Sequence, residues 1–218
     1  MISPVARRNR MPANGLYAIT DGPRDDLLEA ARAALEGGAA LLQYRDKTRD
    51  VLRRVREACA LAALCREFAV PLIVNDDVEL ARRSDAAGVH LGEDDVDIAD
   101  ARATLGDPAI IGVSCYDSLQ RAQAATAAGA DYLAFGAFFP TATKKATRDA
   151  TPALLHDAGA LGLPLVAIGG ITPDNGRALV EAGADFLAVV SALFGARDVR
   201  EQARRFTALF ETPWRNPS

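Results

Sequence analysis

Short apolar runs alternate along the whole chain with longer stretches whose hydrophobic residues recur every third or fourth position. The runs are LYAIT (16–20), ALLQYR (40–45), PLIVN (71–75), GVHLG (88–92), AIIGVS (109–114), YLAFGA (132–137), PLVAIGG (164–170) and FLAVVSAL (186–193). Near-continuous apolar runs predict parallel strands covered on both faces. The segments between them, such as 51–68 and 119–128, carry helical spacing. Three helical stretches close in small-residue turns, EGGAA (36–40), AAGAD (127–131) and EAGAD (181–185), where glycine suits a helix C-cap. Eight strand–helix units in 218 residues predict a single-domain closed (β/α)₈ (TIM) barrel at the compact end of that fold. An open doubly wound sheet is the rival, but no GxGxxG follows the first strand. We expect a barrel over 15–212, a flexible N-terminal segment 1–14 and a C-terminal tail 213–218.

Composition narrows the partners. Half of the residues are hydrophobic, a quarter are charged, and the net charge is −4. This balance gives no support to general binding of nucleic acid or acidic membrane, while leaving room for a local anion site. No stretch reaches the ~18 apolar residues of a membrane span. The start, with Arg7, Arg8 and Arg10 but no apolar run behind them, reads as a frayed basic tail rather than a secretory signal. Cys59, Cys65 and Cys115 show no metal spacing, and an odd count fits a reduced, cytoplasmic protein. The helical positions of Cys59 and Cys65 predict core packing. Oligomeric state is not legible.

In a barrel of this kind the reactive groups gather at the C-terminal ends of the strands. The second strand runs out into QYRDK, where Gln43, Arg45 and Lys47 alternate with Tyr44 and Asp46. Period-two alternation places the three donors on one face over roughly 13 Å. A solvated strand tip would explain them, but cations entering a barrel are costly to desolvate without an anion, and a polyanionic ligand supplies one. Asn75 and Asp76 end the third strand, and GEDD (92–95) follows the fourth. Neighbouring strands lie ~4.8 Å apart, so Asp76 and Asp95 can converge on one hard cation such as Mg²⁺. Helix N-capping by Asp76, Asp77, Asp94 and Asp95 is the competing account. Ser114 ends the fifth strand with no histidine beside it in sequence, which favours hydrogen bonding to a ligand over covalent catalysis. Neighbouring Cys115 has no recognisable base. His90, inside GVHLG, reads as a core residue and His156 as an exposed one. Gly169 and Gly170 after the seventh strand, with Val190 and Ser191 after the eighth, suit the phosphate site that barrels often carry there. FFPTATKK (138–145) follows the sixth strand, with Thr141, Thr143, Lys144 and Lys145 either solvated or gripping phosphate.

Taken in order, QYRDK, ND (75–76), GVHLGEDD, GVS (112–114), FGAFFPTATKK and AIGGI resemble the thiamine-phosphate synthase family over nearly the whole chain. The resemblance implies a transferase. It would join 4-amino-5-hydroxymethyl-2-methylpyrimidine diphosphate to a thiazole phosphate, with Mg²⁺, and release pyrophosphate. It implies that Gln43, Tyr44, Arg45, Asp46, Lys47, Asn75, Ser114 and Lys144 take the pyrimidine diphosphate. Arg45, Lys47, Lys144 and Ser114 would act in catalysis. Thr141, Ala142, Thr143, Gly170, Val190 and Ser191 would take the thiazole phosphate, and Asp76 and Asp95 the metal. The pattern departs at Asp77, where the family often has Arg, and at Glu93, where it often has Gln. A thiazole tautomerase on a related barrel is the alternative; it needs neither the diphosphate nor the metal site. A non-catalytic barrel sensing a phosphorylated ligand is a third reading.

Overall fold

The computed structural model describes residues 7–140 and 150–211. Eight parallel strands close on themselves in sequence order: β1 (Gly15–Ile19), β2 (Leu41–Tyr44), β3 (Leu72–Asn75), β4 (Gly88–Leu91), β5 (Ile110–Tyr116), β6 (Tyr132–Phe135), β7 (Leu165–Ile168) and β8 (Phe186–Val189). The ring closes where β8 pairs with β1, Gly15 opposite Phe186 and Ala18 opposite Val189. The expected closed (β/α)₈ barrel is therefore the architecture. Helices α1 (Leu27–Glu36), α2 (Val51–Glu67), α3 (Val78–Ser84), α4 (Ile98–Leu105), α5 (Leu119–Ala128), α6 (Pro152–Ala158), α7 (Arg177–Glu181), α8 (Ser191–Phe194) and α9 (Val199–Thr207) connect or follow the strands.

The helices start where the sequence offers caps. The side chains of Asp50, Asp77, Ser118 and Asp198 accept the backbone N–H three residues on, at the starts of α2, α3, α5 and α9. Each satisfies a donor that the first turn would otherwise leave unpaired. On α1 the buried residues are Leu27, Ala30, Ala31, Ala34 and Leu35, a stripe at three- and four-residue spacing that faces the sheet. One expected boundary moves: the run 186–193 is not all strand. The chain leaves β8 at Val190 (φ −109°, ψ −91°), and Ser191 opens the short helix α8.

Two cores result. Outward-facing strand residues such as Leu42, Val74, Leu133 and Leu187 pack under the helices. Inward-facing ones, among them Tyr17, Ile19, Leu41, Ile73, Tyr132, Val166 and Phe186, fill the barrel. The N-terminal end of the barrel is stoppered: Met11 is buried against the interior cluster. Arg7 donates to the carbonyls of Thr126 and Ala130. Arg8 pairs with Asp185, and Arg10 with the fully buried Asp131. From Arg7 onward the segment expected to fray is thus tied to the barrel floor, because carboxylates at the starts of β6 and β8 need cations. Among the described residues no helix is long and apolar enough to cross a membrane.

Candidate active site

The end of β2 sends alternate residues in opposite directions. Gln43 points inward, is 2% exposed, and donates from Nε2 to the Tyr17 hydroxyl at 2.8 Å. The Arg45 backbone is clamped to Thr20, whose Oγ1 accepts the Arg45 N–H at 2.8 Å. Its guanidinium forms no ion pair among the described residues. Lys47 reaches across to Asp76, Nζ to Oδ2 3.1 Å. Tyr44 and Asp46 face the other way. Tyr44 donates to Glu57 at 2.7 Å, while Asp46 accepts from Arg53 at 2.6 Å and from the Thr48 N–H at 2.7 Å. Burial works to raise the Asp46 pKa, but the Thr48 hydrogen bonds and the Arg53 charge outweigh it and hold the carboxyl below its ordinary range. The structure does not bring these two side chains to the mouth. They lock the strand end against α2 beneath the residues that do reach it.

Asp76 and Asp95 meet. Asp76 adopts a left-handed backbone (φ 63°), and its N–H donates to the His90 carbonyl at 2.8 Å, which carries the chain from β3 over β4. Asp95 accepts from the Gly92 N–H at 2.5 Å. The two carboxyls are in hydrogen-bonding contact, and Asp95 is pushed above the usual carboxylate range, first by burial and then by the Asp76 charge. Of the four aspartates that could have been helix caps, Asp77 is the one that caps, accepting from Leu80 at 2.9 Å; it also pairs with Arg54 at 3.0 Å. Asp97 occupies the N-cap position of α4 instead, with no side-chain cap bond. The departures from the family pattern are each met by an arginine, since Glu93 lies 3.9 Å from Arg121.

Inside the mouth, His90 corrects the sequence reading of Ser114. The two are 24 residues apart, yet Nε2 of His90 lies 2.9 Å from Ser114 Oγ, because β4 and β5 are neighbours with His90 opposite Gly112. The other ring nitrogen, Nδ1, is 2.9 Å from the Tyr132 hydroxyl. Burial pushes the His90 pKa down to about 4, so the ring is neutral at physiological pH. Cys115 points outward, buried, its thiol pushed up to about 12 by burial, which removes it as a nucleophile. Cys65 is likewise buried; Cys59, expected in the core, is exposed.

On the far side, β6, β7 and β8 bring their ends together. Gly170 has φ 62°, and a side chain there would stand 2.5 Å from the Pro140 carbonyl, so the turn lies directly on the loop that leaves β6. Asn175 steadies that turn, donating to the Gly170 carbonyl at 3.1 Å. Val190 and Ser191 follow one strand further round. Thr141, Ala142, Thr143, Lys144 and Lys145 lie outside the described residues.

With this geometry in place, comparison with known proteins decides the lineage. The sequence model of the family described as thiamine monophosphate synthase matches residues 16–193. The chain belongs to the thiamine monophosphate synthase family. A thiamine-phosphate synthase of Xanthomonas campestris pv. campestris is 56% identical over 199 residues, 91% of this chain and 96% of that one. One from Marinobacter nauticus is 52% identical over 201 residues, 90% of each chain. Among solved structures, the thiamine phosphate pyrophosphorylase from Pyrococcus furiosus superposes with a TM-score of 0.82 at 37% identity, covering 93% of this chain and 96% of that one.

Within this family frame, the residues that sequence reasoning missed are inward-facing and polar. Tyr17 and Tyr132 look like ordinary strand aromatics, and nothing in their local pattern marks them. Their signal is Gly112: a Cβ there would come within 1.8 Å of the Tyr132 ring, so GVS keeps a glycine where the tyrosine crosses the barrel. Thr20 and Arg121 are further missed supports. Arg121 donates to the carbonyls of Ser114 (2.7 Å) and Gly92 (3.1 Å), tying the ends of β4 and β5 together.

Proposed function

We infer that this protein is a thiamine-phosphate synthase, a transferase that condenses 4-amino-5-hydroxymethyl-2-methylpyrimidine diphosphate with a thiazole phosphate and releases pyrophosphate. The single observation that carries the mechanism is the convergence of Asp76, Asp95 and Lys47 at one side of the mouth, with the Arg45 guanidinium, which meets no carboxylate among the described residues, on the same strand end. A tautomerase acting on the thiazole phosphate alone has no use for such a cluster.

The donor set fits a hard divalent cation. Two carboxylates in contact repel, and burial makes that repulsion costlier. Among the described residues no group of three or more His, Cys, Asp and Glu surrounds them, so water and substrate oxygens are left to complete the coordination. Asp76 and Asp95 would hold Mg²⁺, which when bound offsets the negative charge of the leaving diphosphate.

The rest of the chemistry falls to the chain. The bond from the exocyclic methylene carbon of the pyrimidine to the diphosphate oxygen breaks, and its electron pair leaves on oxygen. The aminopyrimidine spreads the positive charge left on carbon. Arg45, Lys47 and Lys144 provide fixed positive charge where the leaving group becomes more negative. Gln43, Asn75 and Ser114 orient the pyrimidine half by hydrogen bonding. The thiazole nitrogen donates its lone pair to the carbon, held in line by its phosphate on Thr141, Ala142, Thr143, Gly170, Val190 and Ser191. No proton has to be removed for this C–N bond to form, in keeping with a neutral His90 that is engaged by two hydroxyls. Tyr44 and Asp46 act behind the site by holding the strand that bears Arg45 and Lys47.

Incubating the protein with both substrates, with and without Mg²⁺, and following product by mass spectrometry tests this. Thiamine phosphate and pyrophosphate in equal amounts, formed only with the metal, are expected. Turnover of the thiazole phosphate alone, with the pyrimidine diphosphate untouched, would select the tautomerase.

A further inference from the structure

Five polar side chains from five strands form one unbroken chain across the barrel interior. Gln43 Nε2 meets the Tyr17 hydroxyl at 2.8 Å, Tyr17 meets the Tyr132 hydroxyl at 2.8 Å, Tyr132 meets His90 Nδ1 at 2.9 Å, and His90 Nε2 meets Ser114 Oγ at 2.9 Å. Gln43, Tyr17 and Tyr132 are buried, with Tyr17 and Tyr132 at 1% and 0% exposure, so their hydrogens have no solvent to turn to. Four contacts need four hydrogens. With the Gln43 amide donating, the supply is one hydrogen from Gln43, one from each tyrosine, one from a neutral imidazole and one from the Ser114 hydroxyl, so one of the five is left over. One sense leaves the spare hydrogen on Ser114 at the mouth and not on a buried tyrosine: Gln43 to Tyr17, Tyr17 to Tyr132, Tyr132 to His90 Nδ1, and His90 Nε2–H to Ser114. An imidazolium would add a sixth hydrogen and strand that of Tyr132 in the interior, at the cost of an unsatisfied buried donor. An Nδ1–H tautomer would have Tyr132 accept from the ring and Ser114 donate to Nε2, leaving the buried Tyr132 hydrogen without an acceptor. The last member keeps the spare hydrogen: Ser114 Oγ accepts from His90 and has no acceptor of its own among the described residues, so its O–H is available to whatever occupies the mouth.

We propose that Tyr17, Tyr132 and His90 are positioning residues which, through this one-way chain, set the Ser114 hydroxyl as a hydrogen-bond donor to an acceptor atom of the pyrimidine diphosphate. The chain begins in the buried interior and ends at a residue of the site, which is why two tyrosines occupy a place where branched aliphatics would pack as well. Tertiary geometry enforces the arrangement. Gly112 leaves room for the Tyr132 ring, which is stacked at 20° on His90 with 5.6 Å between centroids. The identity of the acceptor rests on the proposed function; the sense of the chain does not.

The chain holds two histidines, and His156 is exposed, so ¹⁵N-histidine spectra of the intact protein resolve His90 directly. The expected result near neutral pH is a neutral ring with its proton on Nε2. Tyr132→Phe removes the donor to Nδ1 and releases the tautomer preference. The same variant should lower kcat/KM for the pyrimidine diphosphate about tenfold, the effect of one mis-set hydrogen bond. The KM for the thiazole phosphate should stay the same. In a Ser114→Ala background, Tyr132→Phe should cost nothing further, since the group it orients is gone. An Nδ1–H tautomer or an imidazolium in the unsubstituted protein overturns the proposal, and so does an undiminished Tyr132→Phe effect in the Ser114→Ala background. Should Tyr132→Phe fail to fold, the tautomer of the unsubstituted protein still decides. Absence of any condensation would sink the proposed function while leaving the spectra to judge the chain.

Discussion

The two ends of this barrel treat charge in opposite ways. At the floor the carboxylates have their cations: Asp131 is fully buried and takes Arg10 and Arg102 along with the Ile111 N–H, and the half-buried Asp185 takes Arg8 and the Leu165 N–H. At the mouth, Asp76 and Asp95 lean on each other, Lys47 is shared with Asp76, and Arg45 meets no carboxylate among the described residues. A floor of satisfied pairs contributes to holding the fold, because removing one partner leaves a buried charge. A mouth where carboxylates meet each other contributes little to holding the fold, and under the proposed function its charge is balanced by a metal and phosphates. Charge density alone would not separate the two ends. Pairing does.

The largest effect expected from breaking this contrast is at the floor. Asp131→Ala would strand Arg10 and Arg102 and cost about 3–5 kcal/mol of stability, lowering the melting temperature by roughly 10 °C while kcat per folded molecule stays near that of the parent. At the mouth the pattern should invert. Asp76→Asn, which keeps a residue tolerant of the left-handed backbone, should lower turnover by about 100-fold or more and leave the thermal melt in place. If both variants lose stability, or both lose only activity, the contrast fails.

The pH dependence of stability sharpens it further. His90 has a folded pKa of about 4 against an ordinary value of 6.5, so the unfolded chain binds more protons between these values. Its contribution is complete above pH 6.5 and is lost as pH falls from there toward 4, by at most about 3 kcal/mol. The measurement is the slope of unfolding free energy against pH, which should flatten over that window in His90→Gln. Next in size, Gly112→Ala would press a methyl into the Tyr132 ring and cost about 1–3 kcal/mol, with the activity loss exceeding that of an alanine elsewhere on β5. The smallest effect concerns the thiols. Cys59 should react readily with an alkylating reagent in the native protein, whereas Cys65 and Cys115, both raised to about 12 by burial, should wait for unfolding.

The barrel was legible because each strand is an apolar run with few polar interruptions and each helix is apolar on one face, a pattern local enough to read residue by residue. Strand ends were legible for the same reason: Gln43, Arg45, Lys47, Asp76 and Ser114 follow apolar runs directly. Where reading failed, a partner distant in sequence was responsible. Asp76, Asp77, Asp94 and Asp95 were equally plausible caps until the fold turned Asp77 onto Leu80 and Arg54 and turned Asp76 onto Asp95. Ser114 has no histidine beside it in sequence because His90 reaches it only across two paired strands. Arg8 and Arg10 show no local partner because their aspartates lie 177 and 121 residues away.

By itself the sequence determined the eight-unit periodicity, the polar strand ends and the family pattern, since these depend on hydrophobic burial and on residue order. The tertiary structure alone decided which polar groups pair and which stay unpaired, and in which sense the interior hydrogen bonds run. The reason is physical: hydrophobic burial scales with the area of each side chain and is written into its type, whereas a hydrogen bond or ion pair exists only at the distance and angle that closure of the barrel imposes.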